Sequence, residues 1–281
     1  MPIFVNRASL SYNNTVTNSN TVTGNLIETL SVTKTAVVDT YARGDSITYV
    51  VNVVNSGNTA YTALSVTDDL GAYTDSGETF VPLTYIEGSL LYYLNGTVQP
   101  TPTVTAGDTL VISDINVPAS GSALFIYQAE ANGFSPLDVD GNITNTVSVT
   151  GGGLAEAVTA SATVTPESAA NLSISKAICP AVVTENGQLT YTFVIQNTGN
   201  TATVATDDLV VTDVFDPILE NIVVTYNDTV LISGTDYTYE NGTFTTANGV
   251  ISVPAATYTR ADDGTWIINP GVSVITVTGT V

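Results

Sequence analysis

Along most of the chain apolar and polar residues alternate one for one, in runs bounded by Gly, Asn, Asp or Pro. That period marks half-buried strands, and the helical period of about 3.6 residues is nowhere sustained. The pattern also repeats. Residues 30–69 set beside 172–214 align LSVTKTA with LSISKAI, GDSITYVVNVVNSGNTA with GQLTYTFVIQNTGNTA, and LSVTDD with LVVTDV. Alternation and repeat together predict an all-β chain of two tandem Ig-like β-sandwich domains. Domain 1 spans 30–165 and domain 2 spans 172–281, with short polar linkers at 25–29 (NLIET) and 166–171 (PESAAN) that are expected to set the domains end to end as a rod.

The N-terminus matches the end of domain 1. FVNRASLS at 4–11 aligns with ITNTVSVT at 143–150, and TVTNSNTVT at 15–23 with AVTASATVT at 157–165. Residues 1–24 therefore read as the closing hairpin of a domain, placed ahead of the first one. Domain 2 conversely ends at SVITVTGTV, which corresponds to the stretch around SALFIYQAEA at 122–131, and so lacks that hairpin. A sandwich without its last strands presents an unpaired edge and an apolar groove, both templates for an added strand. Five linker residues reach at most roughly 17–18 Å, less than the length of an intervening sandwich, so the hairpin is expected to enter another molecule. A contact of that kind is heterologous and does not close on itself, and a filament follows. Phe4, Ala8 and Leu10 are the apolar residues such a donor strand brings.

The lysines point to chemistry. Only two occur, Lys34 and Lys176, at the same position of the repeat. Strand alternation puts Lys34 on the inward face with Leu30 and Val32, and Lys176 with Leu172 and Ile174. The same phase turns Asp68 inward with Leu64 and Val66, Asp213 with Leu209 and Val211, Asn145 with Val147 and Val149, and Asn6 with Ala8 and Leu10. Each domain thus acquires a buried Lys, Asp and Asn, domain 2 taking its Asn from the donor strand. Burial lowers a lysine pKa and raises an aspartate pKa, so a neutral amine can attack the Asn carbonyl while the protonated acid polarises it; ammonia leaves and an isopeptide bond remains. The plainer reading is a pair of buried salt bridges, Lys34 with Asp68 and Lys176 with Asp213. Glu130 or Asp69 is an alternative acid in domain 1, although domain 2 has no acid matching Glu130.

The K-T-A start at 34–36, G-D-x-I-T-Y at 44–49, N-x-G-N-T at 55–59 and V-T-D at 66–68 resemble the Ig-like repeat of bacterial and archaeal surface proteins classed as domain of unknown function eleven. The resemblance covers nearly the whole chain. It implies Lys–Asn isopeptide bonds, with Lys34, Asp68 and Asn145 acting within domain 1, and Lys176 and Asp213 with Asn6 between subunits. Domain 2 departs from the pattern where Gln188 replaces the turn Asp, and in ending early.

Composition narrows the function further. Acids outnumber bases 26 to 5, and a net charge of −21 repels phosphate backbones and anionic lipid, so neither nucleic acid nor membrane is an expected partner. Histidine is absent and cysteine occurs once, which removes intrachain disulfides, His/Cys zinc sites and His-based catalysis; no metal and no cofactor are expected, and no turnover enzyme. The start, MPIFVNRASLSYN, has no signal-peptide pattern, and no apolar run approaches a membrane span. Arg43-Gly44-Asp45 reads as a turn, DVDGN at 138–142 as a solvated turn, and Cys179 as a small buried residue. The expected function is a structural subunit of an extracellular fibre on a cell or spore surface, its partners being identical subunits joined head to tail. The alternative is a monomeric surface adhesin whose inserts at 71–107 and 217–268 carry binding loops.

Overall fold

The computed structural model describes residues 3–25 and 29–281; Leu26–Glu28 of the first linker lie outside them. The chain is all-β, and its one helical element among the described residues is the 3₁₀ turn Ala205–Asp207. No helix among those residues is long and apolar enough to cross a membrane. Two compact units divide the chain. One holds Met1–Val38, Ser46–Glu130 and Thr144–Thr163, and the other Asp39–Asp45, Ala131–Ile143 and Val164–Val281.

The N-terminal segment folds as a hairpin on itself. β1 (Ile3–Asn6) pairs with β4 (Val22–Asn25), and β2 (Ser9–Tyr12) with β3 (Thr15–Asn18). Asn13 and Asn14 both take positive φ, 45° and 61°, which a two-residue turn of this hand requires. The continuous strand expected over 4–11 is instead broken at Arg7 and Ala8, opposite three residues, 19–21, of the other arm. One arm therefore carries an extra residue, a bulge held by the Ser19 amide donating to the Ala8 carbonyl at 2.9 Å. Apolar side chains of the hairpin are exposed, Phe4 at 60% and Leu10 at 66%.

The first sandwich runs through β5 (Leu30–Ala36), β6 (Thr40–Tyr41), β7 (Ser46–Asn55), β8 (Tyr61–Asp68), β9 (Tyr73–Asp75), β10 (Glu78–Phe80), β11 (Leu83–Tyr85), β12 (Leu91–Leu94), β13 (Thr97–Gln99), β14 (Thr103–Ala106), β15 (Leu110–Val117), β16 (Gly121–Ala131), β17 (Ile143–Gly151) and β18 (Val158–Pro166). One sheet has the order β13-β12-β16-β7-β5, with β11 also on β16; the other runs β14-β15-β8-β17-β18-β6. The predicted alternation is present in β7 and β8, where Ile47, Tyr49, Val51, Val53, Leu64 and Val66 are all buried. Much of the insert at 71–107 is knit into these sheets as β11–β14.

The second sandwich contains β19 (Leu172–Cys179), β20 (Gln188–Asn197), β21 (Thr212–Val214), β22 (Glu220–Tyr226), β23 (Thr229–Val230), β24 (Tyr237–Glu240), β25 (Thr243–Thr246), β26 (Thr257–Arg260), β27 (Trp266–Asn269) and β28 (Gly271–Thr280). Its larger sheet runs β19-β20-β28-β22-β23, its smaller one β21-β25-β24, and β26 pairs with β27. Phe193, Phe215, Phe244 and Tyr237 fill the core with Val253, Ile275 and Val277. The insert at 217–268 supplies β22–β27, so much of it too is paired strand. β28 lies on β20 with Thr280 opposite Gln188, as β16 lies on β7 with Glu130 opposite Ser46. Equivalent hydrogen bonds at the turns, Gly44 N to Ala131 O and Asn186 N to Val281 O, align the repeats without a gap. Asp45 therefore corresponds to Gly187, and Gln188 stands where Ser46 does, which corrects the sequence-based placement of Gln188 at the turn.

Candidate cross-linking sites and an open strand edge

In the first sandwich Lys34 and Asp68 meet between the sheets. Lys34 stands on β5 opposite Val51; Asp68 ends β8 opposite Val147, and Asn145 precedes Val147 by two residues on the same face of β17. All three are buried. The Lys34 ammonium donates to Asp68 Oδ2, the Tyr127 hydroxyl donates to that same oxygen, and the Leu70 amide donates to Oδ1 at 3.0 Å. Lys34 Nζ lies 4.8 Å from the centroid of the Tyr49 ring. Burial holds the Lys34 amine below the usual lysine pKa, against the opposing pull of Asp68. Burial likewise raises both phenols, Tyr127 further through Asp68.

Asn145 is the anomaly of this cluster. Its side chain lies against the Tyr49 and Tyr127 hydroxyls, near enough to draw both phenol pKa values part of the way back down. Neither its Nδ2 nor its Oδ1 completes a hydrogen bond, although the residue is wholly buried. An amide desolvated without a partner costs roughly 1–3 kcal/mol. Asp69, the neighbouring candidate acid, is engaged elsewhere. Its Oδ1 accepts from the amides of Gly71 and Thr146, at 2.9 and 2.8 Å, and so fastens β17 beside Asn145. Glu130 points to solvent. Of the three acids only Asp68 reaches Lys34.

The second sandwich repeats the pair without its cover. Lys176 stands on β19 opposite Phe193 and donates to Asp213 Oδ2; its ammonium is 4.3 Å from the Tyr191 ring centroid and 5.3 Å from that of Phe215. The lysine side chain is 38% exposed, whereas that of Lys34 is 0%. Leu172, the counterpart of buried Leu30, is also 38% exposed, and the whole of β19 faces solvent. Lys176 was expected to be buried by strand phase. Phase sets which face a side chain takes, but only a strand on the far side can cover it. Among the described residues β21 pairs with β25 on one side and with no strand on the other, where β8 carries β17. A cleft of about 280 Å³ opens there, lined by Leu172, Ile174, Ile195, Leu209, Val210 and Val211.

Other expectations resolve locally. Ala8 falls at the hairpin bulge, outside a strand, while Asn6 ends β1 and Leu10 lies in β2. Arg43-Gly44-Asp45 is a turn, with Gly44 at φ +87° and the Ala42 amide donating to Asp45 Oδ2 at 2.8 Å. Residues 138–142 form a turn closed by the Gly141 amide on the Asp138 carbonyl. Cys179 is exposed, not buried, as is Val37 at the same position of the first sandwich. Tyr127 was missed by the sequence reading. Its signal was a phenol at the inward phase of β16 between Phe125 and Ala129, and the register position of Tyr127 opposite Tyr49 is held in the second sandwich by Val277 opposite Tyr191.

No family model matches the chain, and no curated protein matches it. Among solved structures it is similar to BcpA, the major pilin subunit of Bacillus cereus, at 11% identity over 95% of this chain and 73% of that one, with a TM-score of 0.35. It is similar to the full-length major pilin SpaD from Corynebacterium diphtheriae at 12% identity over 86% of this chain and 59% of that one, TM-score 0.35. A family 123 glycoside hydrolase from Clostridium perfringens scores 0.32 at 12% identity over 50% of this chain and 28% of its own. Likeness at this level carries no weight for function.

Proposed function

We propose that the chain is the structural subunit of an extracellular fibre, joined head to tail as the hairpin of residues 3–25 of one copy enters the open edge of the second sandwich of the next. An isopeptide bond from Lys176 to the incoming Asn6 locks the joint, and Lys34 with Asn145 makes the corresponding bond inside the first sandwich. The observation that carries this reading is one edge in two states. In the first sandwich it is filled by β17, ITNTVSVT; in the second it is open, and the hairpin offers FVNRASLS. Carrying over the β8–β17 register sets Ala8 opposite Asp213 and Leu10 opposite Val211, and brings Asn6 beside Phe215, where Asn145 stands in the first sandwich.

The chemistry needs no cofactor. One proton crossing the Lys34–Asp68 hydrogen bond yields a neutral amine and a carboxylic acid together. Nζ attacks Cγ of Asn145, the acid protonates the departing nitrogen, the carboxylate so formed takes the surplus proton from Nζ, and an amide C–N bond forms as the Asn C–N bond breaks and ammonia leaves. The unpaired buried amide is what such a reaction consumes. Each site reacts once, so the protein is not a turnover enzyme, and its partners are copies of itself on a cell or spore surface.

Denaturing electrophoresis of boiled protein, with peptide mass mapping, tests the reading. A ladder carrying a Lys176–Asn6 peptide lighter by one ammonia is expected, and deletion of residues 1–24 is expected to leave monomers. A single monomer band from the intact chain, or polymers that survive the deletion, overturns it; the former is what a monomeric adhesin gives.

A further inference from the structure

The hairpin's one charge is placed to set the joint. Arg7 is the only charged side chain between residues 3 and 25, in a chain of net charge −21 with five basic residues. Neither it nor Asp216 has an ion-pair partner among the described residues. Resting on the fibre reading above, the carried-over register puts Arg7 where Thr146 stands, opposite Val214, with its side chain on the outer face of the sheet. Asp216 lies two residues beyond Val214, in the bend that follows β21, and at that spacing along the edge it is within reach of a long side chain. Asp216 is exposed, as is Val214.

We infer that Arg7 of each incoming hairpin pairs with Asp216 of the acceptor copy, steering two strongly acidic subunits into contact and fixing the strand register that delivers Asn6 to Lys176. The second sandwich supports this by its charge: between residues 172 and 281 its only basic residues are Lys176 and Arg260, and Lys176 is already committed to Asp213. A cationic strand is attracted to this surface while every other part of the subunit is repelled. Register is the property at stake, since a slip of one residue turns Asn6 to solvent.

The test is the assembly rate of the intact chain, followed by light scattering at low and high salt. For Arg7→Glu about a ten-fold slowing is expected at low salt, shrinking as salt screens the pair. Combining it with Asp216→Arg is expected to restore the rate and the Lys176–Asn6 peptide, while Asp216→Arg alone slows the wild-type hairpin. Assembly of Arg7→Glu at the wild-type rate and salt dependence, or failure of the double swap to rescue, overturns the pairing and leaves the fibre reading standing. Absence of assembly by the unaltered chain removes the fibre reading, and this inference with it.

Discussion

Replacing Asn145 by leucine separates a covalent cross-link from a salt bridge by the sign of its effect. Asn145 is fully buried with both polar side-chain atoms unpaired, and leucine has the same number and branching of heavy atoms and nothing to satisfy. Were Lys34 and Asp68 merely an ion pair, the substitution would relieve an orphaned amide and stabilise by roughly 1–3 kcal/mol. If Lys34 is bonded to Asn145, it instead opens a loop of about 110 residues, whose closure is worth roughly 4.7 kcal/mol on the chain-entropy scale. At about 4 °C per kcal/mol for a domain of this size, the first sandwich should melt some 15–20 °C lower. Calorimetry in an Asn6→Ala background, which keeps copies from being linked, reads the shift, and intact mass reads the bond as one missing ammonia in the parent. A melting point that holds or rises, with no mass deficit in the parent, refutes the reasoning.

In the same Asn145→Leu variant the Lys34 amine survives with a pKa held below 10.5 by burial. Between that lowered value and 10.5 the unfolded chain binds more protons, so stability should rise with pH. Melting between pH 7 and 9.5 checks this, below the point where Tyr49 and Tyr127, raised from 10.0, reverse the slope; the cross-linked parent, with an amide in place of the amine, should show no such rise. Asp213→Asn should let hairpins dock only reversibly and prevent the bond, so that no ladder and no Lys176–Asn6 peptide appear after boiling in detergent. Leu10→Asp, at the position of buried Val149, should cut assembly by more than about 100-fold, because a lone carboxylate is driven into the cleft. Val5→Thr, one residue out of phase with Phe4 and Asn6 and without a change of charge, should assemble like wild type in the same scattering assay.

Strand phase and the internal repeat carried most of the fold. Lys34, Asp68 and Asn145 face one core because a period of two leaves them no other face, and β28 takes the place of β16 because the two stretches share length and alternation. What phase does not carry is cover. Lys176 and Leu172 follow the same pattern as buried Lys34 and Leu30 and are exposed because no strand among the described residues lies over β19. The bulge at Arg7–Ala8 was equally hidden, since it depends on which turn the two asparagines close. Tyr127 escaped notice because an inward tyrosine in a strand is ordinarily core, and only the ladder that sets it beside Asp68 gives it a role.

Exposure also sets the order of events in the proposed assembly. Phe4 and Leu10 are already about 40% covered within the free hairpin, so docking gains roughly 1–2 kcal/mol from each. With ladder hydrogen bonds added, that only approaches the roughly 4–15 kcal/mol that association costs, and net negative charge opposes it further. Docking alone is therefore weak and reversible, which lets a hairpin in the wrong register leave. The same event that seats the right register lays Ala8 and Leu10 over the cleft and removes water from Lys176, giving it the burial that Lys34 has. A hydrated ammonium does not attack an amide, and a buried one passing its proton to Asp213 does. The bond thus forms only where the strand fits, and a marginal interface becomes permanent after its register has been tested.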